Sequence, residues 1–206
     1  MNYRDYKQFG VGKYYHIFNR GNEKKNIFID ESDFSFFITR LKQNLFPDDK
    51  LKTRIRLLPP NSFSLVCYCL MPNHFHFLIR QNKEIPISKL MAKLCTSYSK
   101  YFNKRYDRVG HVFQDQFKQV SVSGNSYLTW LSCYIHQNPK ISGLVNRATD
   151  YNWSSYAEFV KPSGFSICEK DIVLSQFKNV AHYENFVESS YETIKKRKDL
   201  GEFLLN

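Results

Sequence analysis

The tripeptide His74-Phe75-His76 carries the strongest chemical signal in this sequence. Side chains on a strand alternate between faces, so His74 and His76 share one face while Phe75 and Phe77 take the other. Two imidazoles at i and i+2 can reach one divalent cation, and they can equally sit in a core as a structural pair. Their apolar neighbours favour ligation, because charging either ring among them is costly and a metal needs the neutral form. Tyr134 and Asn138 stand four residues apart and share one helix face. A tyrosine on an apolar helix face ordinarily packs in a core, and an asparagine before Pro139 ordinarily ends a helix. A phenol with a pKa of about 10 is a poor nucleophile at neutral pH. It becomes useful where a cation polarises its target, as in phosphodiester chemistry.

The elements that must position these residues are legible along the chain. Tyr14 to Asn19 is rich in β-formers and runs into the turn signal Asn19-Arg20-Gly21-Asn22. Phe34, Phe37, Ile38, Leu41 and Leu45 recur at helical spacing, with Ser32 as the expected N-cap. Residues 47–61 carry three prolines and many charges and read as an exposed loop. Phe63–Leu70 and His74–Ile79 read as an antiparallel hairpin broken at Met71-Pro72-Asn73. Pro86 opens a helix with an apolar stripe from Ile87 to Phe102. Arg108 to His111 reads as a turn and Val112 to Val122 as a strand. A further helix, capped by Asn125 or Ser126, carries Leu128, Leu131, Tyr134 and Ile135 and is expected to stop at Asn138-Pro139. Residues 151–168 read as loop or short strand and 169–200 as two helices.

This β-α-β-β-α-β-α order gives an α+β fold: a ferredoxin-like (RRM-like) split βαβ antiparallel sheet with an added tyrosine-bearing helix. The expected division is a catalytic domain over 1–156 and a helical C-terminal extension over 157–206.

Charge narrows the partner. The chain has 206 residues, 30 Lys and Arg against 19 Asp and Glu, and a net charge of +11. A positive field of that size favours a polyanion. The basicity lies in residues 1–60 and 80–118, on either side of the uncharged stretch 61–79. That stretch contains Pro72, two histidines and several other polar residues, which excludes a membrane span. Lys93, Lys100, Lys104, Arg105 and Arg108 are candidate DNA-phosphate contacts, or else a solvated helix face. Five cysteines without a CxxC pair, and no N-terminal signal pattern, suit a reduced, cytoplasmic setting. No phosphate-cradling GxxxxGK[ST] motif is present.

Several segments together resemble the single-tyrosine HUH transposases, in the branch of REP-associated tyrosine transposases. Leu70-Met71-Pro72-Asn73-His74-Phe75-His76-Phe77-Leu78 resembles their His-hydrophobic-His motif. Tyr134-Ile135-His136-Gln137-Asn138-Pro139, followed by Gly143-Leu144-Val145, resembles their tyrosine helix. Tyr15 to Gly21, Tyr101-Phe102-Asn103 with Gly110 to Gln114, and Trp153-Ser154-Ser155-Tyr156 follow the same order. The resemblance implies cleavage and rejoining of single-stranded DNA through a 5′-phosphotyrosine. Tyr134 would be the nucleophile, and His74, His76 and Asn138 the ligands of Mg²⁺ or Mn²⁺. Insertion-sequence relatives carry glutamine where this chain has Asn138. The implied partner is single-stranded or hairpin DNA at inverted-repeat ends, and the implied setting is the bacterial nucleoid. The protein would act as a monomer or a homodimer. The alternatives are a host-retained HUH-fold DNA-binding protein or regulator that no longer moves DNA, and a non-catalytic RRM-like nucleic-acid binder. The latter leaves the two histidines unexplained.

Overall fold

Four strands pair into one antiparallel sheet, which is the frame for everything else. The computed structural model describes residues 10–48, 57–161 and 166–199. Its strands are β1 (Tyr14–Arg20), β2 (Phe63–Met71), β3 (His74–Gln81) and β4 (Lys118–Val122), and its main helices α1 (Glu31–Leu45), α2 (Ile87–Arg105) and α3 (Asn125–Ile141). Beyond them come α4 (Tyr156–Val160), α5 (Asp171–Leu174), α6 (Val180–Ser189) and α7 (Tyr191–Asp199). The strand order β2-β3-β1-β4 is the split βαβ arrangement, with helices joining the non-adjacent strands.

Strands β2 and β3 are covered on both faces. All nine residues of β2 are buried, so its burial shows no alternation. Phe75 and Phe77 of β3 face α1 and α2: the Phe37 ring lies 5.2 Å from Phe75 and 5.0 Å from Tyr98. Burying each phenylalanine contributes about 2–3 kcal/mol. The opposite face carries His74 and His76 and is covered by α3, whose Tyr134 ring lies 5.4 Å from His76. At the chain entry to α1, the buried Asp33 carboxylate accepts from Ile29 N–H at 2.8 Å and Tyr106 O–H at 2.8 Å. Arg105 from the end of α2 joins it at 3.1 Å, which ties α2 to α1.

Several boundaries differ from the sequence reading, each for a local reason. Asp30, not Ser32, caps α1, because its carboxylate accepts from both Ser32 N–H and Asp33 N–H. The strand expected over Val112–Val122 is limited to Lys118–Val122. Before it the chain meets the sheet through the Gly21–Phe113 bridge, the Gln114 N–H bond to the Arg20 carbonyl and the Asn19 side chain, which donates to the Asp115 carbonyl. Neither Asn125 nor Ser126 caps α3. Gly124 does so at φ 81°, a conformation that favours glycine. Helix α3 runs through Pro139 to Ile141. Proline there removes one backbone donor in the last turn only, and Ser142 N–H and Leu144 N–H close that turn onto the Asn138 and Pro139 carbonyls. Residues 151–168 contain the bridge of Ser154 to Cys69 and helix α4, and three helices rather than two occupy 171–199. Residues 49–56 of the expected 47–61 loop, and the last residues of the expected extension, lie outside the described residues.

Candidate active site

The site grows from strand register. The hairpin turn Pro72-Asn73 is two residues long, which sets Met71 opposite His74 and Cys69 opposite His76. On the other side of β3, Arg20 pairs with His74 and Phe18 with His76, and Lys118 of β4 pairs with Phe18. Alternation therefore places His16, Phe18, Arg20, His74, His76 and Lys118 on one sheet face.

Within this face the histidines are held by named partners. His76 is fully buried; its Nδ1 lies 2.9 Å from His16 Nε2 and its Nε2 lies 3.1 Å from Asn138 Nδ2. The His16 and His76 rings meet edge to edge and nearly parallel, with centroids 5.2 Å apart and planes at 17°. His74 Nδ1 is bonded to Asn73 Oδ1 at 2.5 Å, and its ring stands nearly perpendicular to that of His76, 5.1 Å away. Burial pushes the His16 imidazole down to about 3, so that ring is neutral at physiological pH.

Tyr134 reaches this cluster from α3, and its one-turn spacing from Asn138 brings both over the histidines. The phenol ring is 2% exposed and presents its edge to His76. Burial raises the Tyr134 phenol above the ordinary tyrosine range; the Asn138 side chain, by hydrogen bonding, and the Arg20 charge pull it back. Asn138 thus stands between the nucleophile candidate and a ligand candidate. Of the other tyrosines near the expected catalytic segments, Tyr98 donates to the Ile27 carbonyl in the opposite core, and Tyr101 is bonded to Arg105.

The opposite side of α3 is anchored by a second histidine network. His136 is fully buried, with Nδ1 2.8 Å from Tyr183 Oη and Nε2 2.9 Å from Ser155 Oγ. Ser155 Oγ also accepts from Tyr68 N–H of β2 at 2.9 Å. Tyr183 belongs to α6, so α6 grips the tyrosine helix, and Ser155 links that helix to β2.

The expected histidines, Tyr134 and Asn138 come together. The five basic residues of the α2 region do not join them, because α2 packs on the phenylalanine face. Lys100 and Lys104 are exposed, and Lys93 and Arg108 are half-buried, with Arg108 lying over the Phe102 ring at 5.4 Å. Arg105 is ion-paired to Asp30 at 2.5 Å and to Asp33. Lys100 lines a cavity of about 670 Å³ between α2 and residues 110–116. A smaller cleft of about 100 Å³ adjoins the histidine face and is lined by Phe18, Arg20, Lys24, Lys118 and the segment Gln114 to Gln116. Its three cations, like His16, are residues that sequence reasoning passed over. Period-two alternation from His16 to Arg20 was the signal that could have found two of them.

Among the described residues no group of three or more His, Cys, Asp or Glu side chains could hold a metal. The trio here reaches three donors only through the amide of Asn138. No helix among those residues is long and apolar enough to cross a membrane.

Comparison with known proteins agrees with this layout. Residues 12–138 match the family described as "Transposase IS200 like", and the chain belongs to that family. A REP-associated tyrosine transposase, solved bound to a REP hairpin, has a similar fold: TM-score 0.57, 17% identity, covering 81% of this chain and 89% of that one. A protein from Deinococcus radiodurans R1, named as a candidate transposase, aligns at 15% identity and TM-score 0.40, covering 60% of this chain and 90% of its own. A search of curated proteins finds no match.

Proposed function

We propose that this protein cuts and rejoins single-stranded or hairpin DNA through a 5′-phosphotyrosine formed on Tyr134. The observation that carries the reading is the convergence of the Tyr134 phenol, His76 and Asn138 in one buried spot, with His74 beside them.

The donor set fits a divalent cation. His76 Nε2 faces the Asn138 amide, whose Nδ2 lies 3.1 Å away; with that amide turned over, its Oδ1 and the imidazole nitrogen would hold the ion together. His74 would ligate through Nε2, since Nδ1 is bonded to Asn73. Bound there, Mg²⁺ or Mn²⁺ would act as a Lewis acid on the scissile phosphate.

The remaining steps fall to the chain itself. Tyr134 Oη attacks phosphorus and the bond from phosphorus to the 3′-oxygen breaks. The phenol loses its proton and the departing 3′-oxygen gains one, which leaves a phosphotyrosine and a free 3′-OH. Attack of a 3′-OH on that ester releases Tyr134 and rejoins DNA without nucleotide hydrolysis. Burial keeps the resting phenol protonated, and Asn138 and Arg20 favour the phenolate as it forms. Arg20, Lys24 and Lys118 are proposed to hold phosphates beside the site, with Lys100 further along the strand. The hairpin bound by the REP-associated relative supports a DNA hairpin as the substrate class. On this reading residues 1–156 form the catalytic domain, and the helices beyond it brace α3.

The test is covalent trapping. Purified protein with Mn²⁺ should form a denaturation-resistant adduct with single-stranded hairpin DNA carrying a labelled 5′-phosphate at the cut. Tyr134→Phe should abolish the adduct and keep hairpin binding. Binding without any adduct in the wild type would leave a non-catalytic DNA binder as the better reading.

A further inference from the structure

His16 stands outside the donor set, yet its ring is the neighbour that His76 Nδ1 touches. The hydrogen-bond directions around His76 can be followed atom by atom. Asn138 Nδ2 is a donor only, so at 3.1 Å the His76 Nε2 that faces it accepts. At the other end of the same amide, Ser142 Oγ donates to Asn138 Oδ1 at 3.4 Å. A neutral His76 that accepts at Nε2 carries its proton on Nδ1. His76 Nδ1–H therefore donates to His16 Nε2, 2.9 Å away, and the two rings lie almost parallel. Both residues are buried, at 0% and 6% exposure.

We infer that His16 is a positioning residue that holds His76 in the Nδ1–H tautomer and so directs the Nε2 lone pair to the metal position. The inference rests on the metal reading given above. A ligating imidazole generally gives its second N–H to a carboxylate, a carbonyl or water, which sets both tautomer and ring plane. Here a second imidazole, one strand away on β1, takes that place. Its consequence is that His76 needs no proton rearrangement on binding a cation: rotation of the Asn138 amide is enough to replace an N–H donor by an oxygen ligand. Neighbouring strands hold the two rings in register, since Phe18 pairs with His76 and His16 with Leu78.

The metal-free protein provides the first readout. In ¹⁵N-histidine NMR spectra, His76 should show a protonated Nδ1 and an unprotonated Nε2. The second readout is binding of Mn²⁺ alone, followed by titration calorimetry. His16→Phe keeps the bulk and removes the acceptor, and should weaken Mn²⁺ binding about 10- to 100-fold. His16→Gln places an amide oxygen near the same point and should recover most of the affinity and the wild-type tautomer. A wild-type His76 protonated on Nε2 would overturn the inference, as would folded His16→Phe protein that binds Mn²⁺ as tightly as the wild type. If His16→Phe does not fold, the wild-type tautomer and His16→Gln decide. If the wild type binds no Mn²⁺, the metal reading fails, and the tautomer spectrum still judges the role of His16.

Discussion

Removing a single oxygen from α6 should loosen the tyrosine helix by a measurable amount. Tyr183 is fully buried, and its hydroxyl lies 2.8 Å from His136 Nδ1 and 3.1 Å from Ser132 Oγ. Ser132 keeps a second bond to the Thr129 carbonyl at 2.7 Å, so it is not stranded by the change. His136 is: its Nδ1 loses its partner inside a fully buried network. A buried polar atom left unsatisfied costs about 1–3 kcal/mol, and the lost net hydrogen bond about 1 kcal/mol. Tyr183→Phe is otherwise close to isosteric, so cavity terms are small. The expected loss is about 2–3 kcal/mol, which for a chain of this size corresponds to a fall in Tm of roughly 5–10 °C. Urea denaturation of the metal-free protein measures it, as a lower midpoint at unchanged slope. A double-mutant cycle with His136→Leu should show coupling of about 0.5–3 kcal/mol, since both changes remove one contact. A loss below about 0.5 kcal/mol for Tyr183→Phe, or strict additivity with His136→Leu, would refute the view that α6 braces α3 through this network.

Two further outcomes follow from burial and charge. His16 and His136 are both pushed down to about 3 by burial, from an ordinary value of 6.5. Their folded pKa values lie below the unfolded ones, so between pH 6.5 and 3 the unfolded chain binds more protons. Stability is therefore full above about pH 6.5 and declines as pH falls towards 3, by about 1.4 kcal/mol per histidine for the first unit. Unfolding free energies from urea denaturation at pH 7.5 and 5.5 should differ by roughly 2–3 kcal/mol, and equal values would refute the neutral buried state. For the cleft beside the histidines, Lys118→Ala should weaken single-strand binding alike for all sequences. It should also lower the slope of log K against log salt by about 0.7, measured by fluorescence anisotropy without metal; an unchanged slope would remove Lys118 from the DNA path.

The sequence by itself determined a good deal of this protein. Period two put His74 and His76 on one face, and period 3.6 put Tyr134 and Asn138 on another, because those repeats are local backbone geometry. The element order limited the sheet to a split βαβ arrangement, which the strand order β2-β3-β1-β4 carries out. Local rules failed where tertiary partners outweighed them. Segment 112–117 has strand-forming residues, but only Lys118–Val122 pairs with β1. Helix α3 tolerates Pro139 because only its last turn loses a donor, and the packed face from Leu131 to Asn138 outweighs that loss. What the tertiary structure alone decided was pairing across the chain: which face α3 covers, the contact of His16 with His76 across 60 residues, and the grip of Tyr183 on His136. Those contacts depend on strand register and helix docking, which join residues far apart in the chain and leave no periodic trace in it. The basic stretch of α2 makes the same point. Its charges read as a candidate DNA surface from composition; docking sends that helix to the phenylalanine face, and the cations beside the histidines are Arg20 and Lys24, at and just after the end of β1, and Lys118 at the start of β4.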